Sequence, residues 1–207
     1  MFFPNAPPAP SQPATLPIRR PPVRAAMALT ILLTLAGPLP ASATEAAWQA
    51  LRGGGVVALF RHARAPGTGD PQGFRLEDCA TQRNLSAEGR EQARGIGEGF
   101  KARGIPVVRV LSSRWCRALD TARLAFGSSV EPFPPLDSFF SERDGREAQT
   151  RAVRQLVEGW RSEGVLALVT HQVNITALTG VFPAEGEVLV LKPRAGAGFD
   201  IVGRIGP

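Results

Sequence analysis

The chain has no uninterrupted apolar run long enough for a multi-span membrane protein, since its longest, from Met27 to Leu39, is broken at Gly37 and Pro38 and a span needs roughly 20 residues. Lysine is scarce: of 24 basic residues only Lys101 and Lys192 are Lys, and the rest are Arg, the side chain suited to bidentate contact with phosphate or carboxylate. Histidine occurs only at His62 and His171 and cysteine only at Cys79 and Cys116. These four could formally bind zinc, but no Cys-x-x-Cys or His-x-x-x-His pair is present, which disfavours a structural zinc site. No Ser sits in a Gly-x-Ser-x-Gly elbow, which disfavours an esterase of that type. No aromatic and basic interleaving appears, so a single-strand nucleic-acid groove is not expected.

At 207 residues, 43% hydrophobic and 20% charged, the chain can build one globular domain with a buried core. The formal charge of +6 is partly N-terminal, because Arg19, Arg20 and Arg24 lie in a segment without acidic residues; without those three it is +3. That segment reads as an export signal over 1–43: the arginines, the Met27–Leu39 apolar run, then Ala41-Ser42-Ala43. No Cys stands at the cleavage point, so no lipoprotein anchor is expected, and the domain proper is 44–207. The implied location is periplasmic or secreted, without a stable membrane span.

Beyond the signal, strand and helix patterns alternate. Val56–Phe60, Val107–Leu111 and Val165–Val169 are short apolar, β-branched runs that read as buried strands. Ser86 is a plausible N-cap for a helix carrying Ala93, Ile96, Gly97 and Phe100 at helical spacing until Gly104 and Pro106. Trp115–Phe126 reads as helical, Val153, Leu156, Val157 and Trp160 form an amphipathic stripe, and Asn174–Leu178 looks helical. Glu187–Leu191 and Phe199–Ile205 resemble a terminal strand pair. The alternation predicts an α/β fold, a mostly parallel sheet with helices on both faces. Gly95-Ile96-Gly97-Glu98-Gly99 falls inside a helix, so it reads as packing rather than a nucleotide loop.

In such sheets ligands bind beyond the carboxyl ends of the strands. There the chain carries Arg61-His62-Ala63-Arg64, Ser112-Ser113-Arg114-Trp115-Cys116-Arg117 and Thr170-His171-Gln172. Two imidazoles and several guanidiniums on one edge suit a multiply charged oxyanion, phosphate best of all. Nearby positive charge favours neutral imidazole, a nucleophile. A proton donor for the leaving alcohol is then needed.

Phe60-Arg61-His62-Ala63, Ser113 through Arg117-Ala118 to Thr121-Ala122, and Thr170-His171 together resemble the histidine phosphatase superfamily, whose members share a phosphoglycerate-mutase-like fold. The likeness runs from about Val56 to Gly180. Within the superfamily, the export signal, Val-Val-Ala-Leu-Phe-Arg-His-Ala and the Cys in the following loop resemble envelope proteins that include lipopolysaccharide-core heptose phosphatases. The resemblance implies a phosphatase with His62 as phosphoryl acceptor, Arg61 and Arg117 as phosphate clamps and His171 as a second imidazole on the transferring group. It places the acid at Glu142, with Asp144, Glu147, Glu77 and Asp78 as rivals. Ala63 stands where Gly is commoner and Arg114 where Pro is usual. No metal or cofactor is expected; the partner is a small-molecule phosphomonoester, such as a lipopolysaccharide-linked sugar phosphate, and not nucleic acid. A phosphate-binding protein of the same fold without turnover is the alternative. In an exported protein two cysteines more often form a disulfide, and a Cys79–Cys116 bridge would staple the first loop over the pocket.

The export reading predicts that protein from the native envelope begins at Thr44 or a close neighbour by mass analysis. An intact N-terminus on protein recovered from the cytoplasm would refute it.

Overall fold

The computed structural model describes residues 43–207, so the expected export signal over 1–43 lies, save for Ala43, outside the described residues. Ala43–Gly53 forms α1, burying Ala47, Trp48 and Leu51 along one side. Then come β1 (Val57–Arg61), α2 (Ala87–Ala102), β2 (Val107–Ser112), α3 (Cys116–Phe126), β3 (Glu131–Pro132), α4 (Arg146–Glu158), β4 (Val165–Thr170), α5 (Gln172–Thr179), β5 (Val188–Pro193) and β6 (Phe199–Ile205). The patterned strands and helices form within a residue or two of where periodicity puts them, save that the stripe ending at Trp160 outlasts α4 and the Asn174–Leu178 helix begins at Gln172. Two elements escape the sequence reading. α1 follows directly on the proposed signal, and β3, at two residues, is too short to show a period.

Ser86 caps α2 by accepting a hydrogen bond from the Gly89 amide, satisfying a donor that the first turn leaves unpaired. The strands align in the order β3-β2-β4-β1-β5-β6. β3, β2, β4 and β1 run parallel, while β5 and β6 continue antiparallel. Helices cover both faces, and successive strand residues alternate between them as the pleat requires. Ala58, Phe60, Ala167, Val169 and Val190 face a cluster with Trp48 and Phe100. Leu59, Leu166, Leu168 and Leu189 face another with Val153, Val157 and Ile175. Phe60 meets Phe100 and Phe126 with ring centroids 5.6 and 5.4 Å away, fixing the end of β1 just before Arg61. Among the described residues no helix is long and apolar enough to cross a membrane.

The glycine-rich run in α2 is packing. A Cβ on Gly97 would lie 2.1 Å from the Ala125 carbonyl oxygen, whereas one on Gly95 meets nothing within 4 Å. Gly97 therefore lets α2 approach the α3 backbone. Gly97→Ala should lower unfolding free energy by about 1–3 kcal/mol through overpacking, while Gly95→Ala should raise it by roughly 0.5–1 kcal/mol through helix propensity. Urea denaturation of the pair checks this; equal effects would remove the close-packing account.

Candidate active site

Three parallel strands deliver the polar residues to one edge. Arg61 sits opposite Thr170 and Ser112 opposite Val169, so the residues that follow, His62, Ser113 and His171, emerge side by side. Backbone bonds hold the exits: His62 N donates to Thr170 O and Ser113 N to Val169 O, both at 2.9 Å. α3 and α5 begin directly after β2 and β4, which turns their positive N-terminal ends toward the same edge.

A cavity of about 300 Å³ opens there, lined by Arg61, His62, Asp70, Arg83, Arg117 and His171, with Phe140 and Phe182 at its rim. The imidazole of His62 is 2% exposed. Its Nδ1 lies 2.8 Å from the Ala63 carbonyl oxygen, which can only accept, so Nδ1 carries the hydrogen and Nε2 keeps its lone pair. Burial first, then the Arg117 charge, push its pKa down to about 3. His171 is held neutral by burial and by the Arg117 charge. Its ring centroid is 5.3 Å from that of His62, and its Nε2 lies 2.8 Å from Ser113 Oγ. Ser113 Oγ donates to Asp137 Oδ1 at 3.3 Å, and His171 Nδ1 is buried without a hydrogen-bond partner among the described residues.

The arginines are aimed by their surroundings. Arg61 donates from Nη1 to Pro183 O at 2.9 Å and lies 3.5 Å from Glu185. Arg117, with its side chain 3% exposed, bonds Asp70 through Nη1 at 2.7 Å and Nη2 at 3.2 Å. Among the described residues the Nε atoms of both are buried without a partner, which leaves donors for a ligand's oxygens. Arg83 donates to the carbonyls of Gly69 and Ala65 and adds a third guanidinium.

His62, His171, Arg61 and Arg117 all line this one cavity. The candidate carboxylates do not. Glu142 and Asp144 line a neighbouring cleft of about 730 Å³ that contains no histidine. Glu147 is exposed and pairs with Arg151. Glu77 is exposed, and Asp78 pairs with Arg75 and caps a short turn. Asp70 is the carboxylate among the cavity-lining residues, and sequence reasoning missed it together with Arg83. Both sit in an irregular loop, where no periodicity marks a facing side; their position shortly after the first motif was the available signal.

The structure joins Cys79 to Cys116, tying the loop that carries Asp70 and Arg83 to the start of α3. Gln82 repeats the tie, accepting from Cys116 N at 3.0 Å. Among the described residues no group of three or more His, Cys, Asp and Glu could hold a metal ion.

Two neutral buried imidazoles impose an acid limit on stability. The unfolded chain takes up these protons near pH 6.5 and the native state resists until far lower pH, so stability is full above about 6.5 and falls as pH drops toward 3. Each group contributes a slope of up to about 1.4 kcal/mol per pH unit. Denaturation across that window should show the decline, and His62→Gln should flatten it by about one proton; an unchanged slope would mean that His62 is protonated in the native state.

The sequence profile of the histidine phosphatase superfamily (branch 1) matches residues 57–139, from β1 to the Phe139 beside the cavity rim. Among curated proteins none matches the chain. Solved structures share the fold. The protein histidine phosphatase SixA complexed with tungstate aligns over 73% of this chain and 97% of its own at 18% identity and TM-score 0.54. A putative α-ribazole-5′-P phosphatase from Escherichia coli aligns over 72% and 96% at 16% and 0.54. Phosphoserine phosphatase from Entamoeba histolytica, in complex with 3-phosphoglyceric acid, aligns over 73% and 97% at 15% and 0.53. The matched profile over residues 57–139 and the paired histidines at the ends of β1 and β4 are similar to those of the histidine phosphatase superfamily, and the fold is the one these phosphatases share.

Proposed function

We propose that the protein is an exported phosphomonoesterase that works through a phosphohistidine at His62, with an envelope sugar phosphate as its substrate. The observation that carries the reading is a neutral His62 whose Nε2 is free, inside a cavity ringed by Arg61, Arg83, Arg117 and His171. Such a ring suits a phosphate dianion, and the related fold of SixA holds tungstate, an oxyanion of the same shape.

In the proposed cycle the phosphoryl oxygens are held by the guanidiniums of Arg61 and Arg117, with His171 beside the transferring group. Nε2 of His62 attacks phosphorus and the bond to the leaving oxygen breaks. That oxygen takes a proton from an acid and departs as the alcohol. Water then attacks the phosphohistidine, the N–P bond breaks, and inorganic phosphate leaves with His62 neutral again. Donors fixed in a buried site stabilise the charge spreading over the transferring group without having to reorganise. The rim supports the sugar assignment: Phe140 and Phe182 offer apolar faces, while Thr68, Ser138 and Gln172 offer hydroxyl and amide partners. The export assignment rests on the N-terminal sequence.

Phosphorus bonded to imidazole nitrogen survives base and is lost in acid. Labelled enzyme should therefore be visible after alkaline quenching and vanish after acid treatment. His62→Ala should abolish both labelling and turnover, and wild-type turnover should persist in EDTA. Full activity in His62→Ala would move the nucleophile elsewhere. Wild-type protein that binds phosphate yet hydrolyses no member of a phosphomonoester panel would establish the non-catalytic binding protein instead.

A further inference from the structure

Resting on that phosphatase reading, we propose that Asp70, which occupies the Arg117 clamp, is the acid that protonates the leaving alcohol, and that phosphoryl binding releases it for this role. Four donors hold the carboxylate: Arg117 Nη1 at 2.7 Å, Arg117 Nη2 at 3.2 Å, Trp115 Nε1 at 3.0 Å and the Arg83 amide at 3.2 Å. Its side chain is 7% exposed. Two oxygens on the paired Arg117 nitrogens imitate the way two oxygens of a phosphate monoester would sit there. Substrate and Asp70 therefore compete for one guanidinium.

Competition decides the proton. Burial pushes the Asp70 pKa up, and the hydrogen bond and charge of Arg117, with hydrogen bonds from Trp115 and the Arg83 amide, outweigh it, so the net direction is down. A phosphoryl dianion that takes over the Arg117 nitrogens removes the stabilising partner and sets a second negative charge beside the carboxylate. Burial and like-charge repulsion, which both favour the protonated form, then act against only the Trp115 and Arg83 amide hydrogen bonds. Asp70 then takes up a proton from solvent. His62, His171, Arg61, Arg83 and Arg117 are the other titratable groups lining the cavity, and the two imidazoles are held in the neutral form, so neither competes as an imidazolium donor.

The step balances. As Nε2 of His62 bonds to phosphorus and the P–O bond breaks, the carboxyl proton passes to the leaving oxygen, giving the alcohol and the Asp70 carboxylate. In the second half the attacking water returns a proton to that carboxylate, the N–P bond breaks, and phosphate departs. The freed carboxylate, its proton lost to solvent, rebinds Arg117 and helps expel the product.

The test compares purified wild-type, Asp70→Asn, Asp70→Glu and Glu142→Gln proteins on an alkyl phosphate, a 4-nitrophenyl phosphate and inorganic phosphate as inhibitor. For Asp70→Asn, kcat on the alkyl phosphate should fall about 10²- to 10⁴-fold further than kcat on the nitrophenyl ester, whose leaving group hardly needs a proton; circular dichroism of the variant checks that the fold is intact. The same variant should bind inorganic phosphate more tightly, because the competing charge is gone, and should lose the alkaline limb of the wild-type kcat profile. Asp70→Glu should recover part of the alkyl activity, and Glu142→Gln should resemble wild type on both esters. Equal slowing of both esters by Asp70→Asn with weaker phosphate inhibition would reduce Asp70 to a support for Arg117 and overturn the proposal. A leaving-group-dependent loss in Glu142→Gln alone would move the acid to the neighbouring cleft. Wild-type protein inactive on every ester would sink the phosphatase reading itself, whereas a selective failure of the Asp70 comparison leaves that reading standing.

Discussion

A guanidinium taken out of water needs a permanent anionic partner, and Arg117, with its side chain 3% exposed, is the constraint on which the site is built. Removing one member of such a pair leaves an uncompensated charge, which is far costlier than any surface ion pair. Asp70 supplies that compensation through both Nη atoms. The same buried cation, with Arg83 and Arg61, helps keep both imidazoles unprotonated. A positive pocket thus stays rich in fixed donors while its two histidines remain neutral, one of them with a free ring nitrogen.

Holding Asp70 against Arg117 requires an irregular loop to stay in place. The stretch between β1 and α2 has few hydrogen bonds to the sheet, so it is fastened by other means. Cys79 is bridged to Cys116 at the head of α3. Gln82 is buried, accepting from the Cys116 amide and donating to the carbonyls of Arg75 and Leu76. Arg83 reaches back to Gly69 and Ala65. Asp137 does comparable work on the opposite side, accepting from Arg114 N at 2.8 Å and Nε at 2.7 Å. Arg114, at a position where the superfamily usually has Pro, is thus an anchor for the turn after β2 rather than a fourth phosphate ligand.

The aromatic cluster beneath β1 links the fold to the chemistry. Phe60 is fully buried against Phe100 and Phe126, and the next two residues are Arg61 and His62. Gly97 lets α2 approach α3 closely, and both helices carry members of that cluster. Displacing either helix would tilt the end of the strand that aims the nucleophile, and ångström-scale misplacement of a reacting group is expensive in rate.

Period-2 and period-3.6 patterning determined which segments became strands and helices, because each element buries a face whose spacing is written in consecutive residues. The short apolar runs ending at Phe60, Leu111 and Val169 also announced where polar side chains would emerge. With those strands parallel, His62, Arg117 and His171 had to share an edge. α1 and β3 went unread, the first lying at the boundary of a signal pattern and the second having too few residues for any period. The carboxylates were decided by tertiary structure alone. Glu142, Asp144 and Asp70 all lie in loops, where sequence position does not fix direction, and only the folding of two loops about Trp115 put Asp70 into the histidine cavity and Glu142 into the cleft beside it.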